Sequence, residues 1–78
     1  MKNYWFLRVG NDTLEEAQRF TSKRDAVNAF KAVAAELAFY GQAIDASLHI
    51  APKRAEVVEY PDFVLSINEN GRVVTEKA

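Results

Sequence analysis

The chain has no cysteine, a single histidine, two prolines and three glycines. Without cysteine there is no disulfide, thiolate zinc site or thiol nucleophile. With one histidine, His49, a metal site would have to be completed by carboxylates such as Asp45 or Asp62, and no spacing sets such a ligand group. No stretch approaches the ~20 apolar residues that cross a bilayer. The opening segment, polar again after Val9, is too short for a signal peptide, so a cytoplasmic protein without a membrane partner is expected.

An excess of one charge is also missing, with ten Lys and Arg against eleven Asp and Glu. Proteins that neutralise a nucleic-acid backbone usually carry a basic excess or stripe. What is present is apolar: 49% hydrophobic residues and 12% aromatic. That suffices for one core, and the 78 residues suit a single domain spanning 1–78.

Tyr4 to Val9 is aromatic and β-rich and reads as a strand. Gly10-Asn11-Asp12-Thr13 reads as a turn, with Leu14 to Phe20 returning as a second strand. A short helix competes there, because Thr13 and Glu16 fit a capping box. The hairpin is favoured, since a helix ending at Phe20 would leave one residue before the next start signal. A tight loop then pairs Arg8 with Glu15, Phe6 with Ala17 and Tyr4 with Arg19. Trp5, Leu7, Val9, Leu14 and Phe20 would share one face, and Tyr4, Phe6, Arg8, Glu15 and Arg19 the other.

Ser22 and Asp25 form a second cap, and the alanine-rich run after it predicts a helix from about Lys23 to Tyr40, closed by Gly41. Val27, Phe30, Val33, Ala34, Leu37 and Tyr40 form its expected core stripe. Ala32, Ala35 and Phe39 lie towards the opposite side, in a stretch where only Glu36 is charged. One helix on a small sheet needs one apolar stripe, so these three are the candidate protein interface.

Ile44 to Ile50 alternates as a half-buried strand, with Asp45, Ser47 and His49 on its polar side. Pro52 ends it, and Lys53 to Tyr60 reads as a short helix or irregular crossing. Phe63–Ile67 and Arg72–Glu76 form a last hairpin around Asn68-Glu69-Asn70-Gly71, with Phe63, Leu65, Ile67 and Val74 on one face. The expected class is α+β: a small antiparallel-rich sheet, order ββαβββ, with one central helix packed on one face.

Asp45, Ser47 and His49 are the residue types of a hydrolase triad, but serine lies between the other two, the wrong order for a relay. The nucleophile turn Gly-x-Ser-x-Gly is also missing, so a solvated strand face is expected, with no enzyme and no cofactor. Glu56, Glu59 and Asp62 make an acidic cluster, read as a solvated loop or a surface for a basic partner. Lys23-Arg24 opposes the helix dipole, a small cost that an anion would offset.

The first functional expectation is a non-enzymatic protein-interaction module, a homodimer or a binder of another protein. It would use the rear of the helix or an exposed strand edge. The alternative is a nucleic-acid-binding protein with Tyr4, Phe6, Arg8 and Arg19 on an open sheet face. An accessory or inhibitor protein of a phage or mobile element is a further reading that the size allows.

Overall fold

A computed structural model describes residues 2–10, 12–41, 44–68 and 70–78. Strands β1 (Tyr4–Val9) and β2 (Gln18–Phe20) precede helix α1 (Lys23–Phe39). Strands β3 (Ala46–Ala51), β4 (Phe63–Ile67) and β5 (Val73–Lys77) come after it. The ββαβββ order and the α+β class are therefore as expected. The five strands make one antiparallel sheet, β2-β1-β3-β4-β5, so β2 and β5 are its edges.

The core lies between the sheet and α1. Leu7, Ala46, Leu48 and Leu65 are buried against Ala26, Phe30 and Ala34, with Trp5, Val9, Phe20, Phe63, Ile67 and Val73 packed around them. Alternation along β1 delivers this face as the sequence predicts. Ser22 Oγ accepts the Asp25 N–H at 3.1 Å, which satisfies one of the helix's free donors. At the other end Gly41, at φ +74°, donates its N–H to the Ala38 carbonyl. A side chain would strain that left-handed backbone.

Four local readings are corrected. Leu14–Glu16 is a 3-10 turn, and only Gln18–Phe20 pairs with β1. The Glu16 carboxylate accepts both the N–H and the hydroxyl of Thr13, so the local cap outcompetes the ladder. The register shifts with it: Phe6 faces Arg19 and Leu7 faces Gln18, while Leu14 and Glu15 leave the sheet altogether. Arg8 consequently meets Glu59 at 3.5 Å instead of Glu15.

In the last hairpin, Gly71 N–H bonds to the Asn68 carbonyl and Asn68 N–H to the Arg72 carbonyl. With Gly71 at φ +77°, this is a turn closed by a glycine bulge, whose odd length inverts the returning strand. Val73, opposite Ile67, therefore faces the helix, and Val74, opposite Ser66, faces away. On α1, Val33 and Tyr40 are exposed where core was expected, and Ala26 is buried in their stead. Finally, the polar side of β3 is covered by other parts of the chain and not solvated. Asn11 and Glu69, assigned to turns by the sequence, lie outside the described residues.

Candidate functional site

The sequence predicts an open sheet face on the side away from α1, and over β1 and β3 that face is closed. Two excursions cross it: the turn at Leu14–Glu16 and a second 3-10 turn at Arg54–Glu56. Phe6, on this face, is fully buried in a small second core with Ala17 and Ala51, flanked by Tyr4 and Val57. Arg54 joins the excursions by donating from one nitrogen to the carbonyls of Leu14 and Glu15 at 3.2 and 3.0 Å. Its guanidinium lies 5.2 Å from the Phe6 ring centre, a cation–π lid on that core. Leu14, Glu15, Arg54, Ala55 and Val57 border a shallow groove of about 690 Å³ between the turns.

His49 faces Phe6 across the β1–β3 ladder and is also buried, at 1% exposure. Its Nδ1 lies 2.8 Å from the Val58 carbonyl and its Nε2 lies 2.9 Å from Ser47 Oγ. A carbonyl only accepts, so Nδ1 carries the proton and Nε2 accepts the serine hydroxyl. Ser47 Oγ in turn accepts Arg8 Nε–H at 3.3 Å. Burial pushes the His49 pKa below its usual 6.5, helped by the nearby Arg8 charge and opposed by the Val58 carbonyl and Asp62. The ring is therefore neutral at pH 7.

This corrects the sequence expectation of a solvated face. Ser47 does reach His49, its hydroxyl oxygen lying 2.9 Å from Nε2 although the two residues stand two apart on the strand. The group that orients His49 is a backbone carbonyl, and Asp45 is exposed and takes no part. The serine hydroxyl is held between Arg8 and His49, and the imidazole is out of reach of any solute. The arrangement fastens the segment after Pro52 to the sheet. Among the described residues no group of three or more His, Asp or Glu is placed to hold a metal ion.

Of the four residues assigned to a nucleic-acid face, Phe6 therefore offers no ring for stacking. Arg8 is engaged by Ser47 and Glu59. Arg19 is exposed and sits 4.8 Å over the half-buried Tyr4 ring. Two other basic side chains are also committed: Lys23 Nζ lies 4.2 Å over the Phe63 ring and Arg54 forms the clamp. Of the acidic cluster, Glu59 pairs with Arg8, and Asp62 accepts the Ile50 N–H at 2.6 Å, replacing a rung where β4 no longer reaches β3.

The helix rear is different. Ala32 and Ala35 are exposed, Phe39 is 85% exposed, and the three share the side of α1 turned from the core. Tyr40, 69% exposed, meets Phe39 edge to face at 5.4 Å between ring centres. Spacing alone assigns Tyr40 to the core. A 17-residue helix is about 26 Å long and a six-residue strand about 20 Å, so the helix has more length than one strand can cover, and its C-terminal end is the exposed one, with Phe39 and Tyr40. The flank of the helix towards β5 carries Lys31, Ala35 and Ala38, which border a hollow closed on its far side by Ile67 and Gly71. β5 itself is a free edge.

Comparison of the chain with protein-family models, with curated proteins and with solved structures gave no match. No helix among the described residues is long and apolar enough to cross a membrane.

Proposed function

We propose that this chain is a small, cytoplasmic, non-enzymatic protein-interaction module that self-associates. Its contact surface is the exposed side of α1, with Ala32, Ala35 and Phe39, continued by the adjoining strand edge. The observation that supports this is the pair Phe39 and Tyr40, two aromatic rings exposed together beside a flank of alanines. Single exposed apolar residues are ordinary, whereas a contiguous apolar surface with an aromatic anchor is what interfaces use. Small residues beside the anchor permit close backbone approach.

Sedimentation equilibrium from low to high micromolar concentration tests the reading. A concentration-dependent dimer that Phe39→Glu dissociates is the expected result. A chain that stays monomeric throughout removes the proposal.

A nucleic-acid reading keeps one supporting observation, the Tyr4 ring with Lys2 and Arg19 both near it, at 6.0 and 4.8 Å. It is the weaker reading, because Phe6 is covered and the balanced charge supplies no phosphate-neutralising surface. A salt-dependent mobility shift on mixed single-stranded oligonucleotides, lost in Tyr4→Ala with Arg19→Ala, would move the assignment to it.

A further inference from the structure

We infer that the partner at the sheet edge is a second copy of this chain, whose β5 pairs antiparallel with β5 about a two-fold axis at Val74. The inference rests on the self-association proposed above and specifies its geometry. Edge strands present unpaired backbone groups, and β5 presents them in a definite phase. Asn68 N–H bonds to the Arg72 carbonyl, and Ala78 N–H to the Asp62 carbonyl. Even-numbered residues of this strand therefore turn their backbone groups to β4, and Val73, Thr75 and Lys77 turn theirs outward.

An antiparallel self-pairing must match outward residue to outward residue, which leaves few registers. About Val74, Val73 exchanges hydrogen bonds with Thr75 of the second copy, and Thr75 with its Val73. The same register sets Arg72 directly opposite Glu76 of the second copy, and Glu76 opposite its Arg72. A register about Thr75 places Glu76 against valine, and one about Glu76 places like charges together. Val74 meets its own copy on the outer face, beside Val64, which is 39% exposed. Charge complementarity thus selects one register.

The other face of β5 supplies room. Between α1 and the edge run two hollows of about 370 and 120 Å³, bordered by Val27, Lys31, Ala35, Ala38, Ile67 and Val73. A strand added beside β5 directs its own Val73 and Thr75 to this side, the side of the exposed alanine flank. Pairing converts two five-stranded sheets into one of ten strands and removes an open edge from each copy.

The chain has no cysteine, so single cysteines report the register directly. In the proposed pairing Val74 and its copy form a non-hydrogen-bonded pair with Cα atoms about 4.5 Å apart, within disulfide reach. Val74→Cys is expected to give a covalent dimer under mild oxidation, and Glu76→Cys, which faces position 72 of the other copy, is not. Arg72→Glu turns two attractions into repulsions and is expected to weaken the dimer about tenfold. Adding Glu76→Arg should restore it. A dimer in which Val74→Cys cross-links no better than Glu76→Cys, and which Arg72→Glu leaves unchanged, overturns the register while self-association through the helix stands. A monomer by sedimentation overturns both.

Discussion

His49 Nδ1 and the Val58 carbonyl oxygen, 2.8 Å apart, join the centre of the sheet to the segment that crosses its outer face. This bond needs a proton on Nδ1, and Ser47, donating its hydroxyl to the other nitrogen, selects the neutral tautomer that carries it there. A buried histidine so placed makes folding depend on pH.

Burial lowers the folded pKa beneath the unfolded value of 6.5. Above 6.5 the ring is neutral in both states, and its contribution to stability is complete. As the pH falls below 6.5 the unfolded chain gains a proton that the folded chain resists, so stability declines until the folded pKa is passed. Urea midpoints at about pH 7.5 and about pH 5.5 should show this fall, and His49→Gln should flatten it over that window. Equal slopes in the two proteins would count against the buried neutral ring.

Phe6 is a core residue of the outer face, and its truncation should behave as one. Phe6→Ala is expected to cost about 3–5 kcal/mol, the range for emptying a packed aromatic site. Arg54→Ala, which removes the clamp on Leu14 and Glu15 together with the lid on Phe6, should cost about 1 kcal/mol. Chemical denaturation measures both. A Phe6→Ala protein as stable as the parent would show that the second core is not closed.

Two phenylalanines on α1 should respond oppositely. Phe30 is fully buried and Phe39 is 85% exposed. Phe30→Ala should destabilise the fold by about 3–5 kcal/mol. Phe39→Ser should leave the stability of the isolated subunit within about 0.5 kcal/mol while lowering self-association. Dilute-solution melting, paired with sedimentation, separates the two effects.

Asp62 holds the end of β3 through a single carboxylate oxygen on the Ile50 N–H. Asp62→Ala removes that acceptor, and the Ile50 amide should then exchange with solvent about tenfold faster or more, as a loss of about 1–2 kcal/mol implies. Unchanged protection of that amide would show that another group closes the strand end.

Local signals carried much of the architecture. Ser22 and Gly41 bracket the helix within a residue of its bounds, because a cap and a left-handed glycine act on their immediate neighbours. Trp5, Leu7 and Val9 pack on α1 as the favoured phase of β1 places them, although the unbroken aromatic run Tyr4-Trp5-Phe6 left the opposite phase open in the sequence. Both hairpins were recognisable by their turn residues, yet their registers were not. The cap of Thr13 with Glu16 slides β2 by two residues, which changes its partners but keeps its facing. The turn of Asn68 with Gly71 shifts β5 by an odd number, and in a structure of period two that reverses the facing of the whole returning strand. Val74 for Val73 is the consequence in β5.

Element order, helix limits and the helix-facing side of β3 were settled by the amino-acid order, since short-range hydrogen bonding and periodicity decide them. Burial of the outer face was settled by assembly, because residues 17, 54 and 57 reach Phe6 only when two distant excursions close over it. Assembly likewise exposed Tyr40, whose spacing marks it as core although no other element covers it. A residue's period says which way it points, and the extent of the neighbouring element says whether anything is there to meet it.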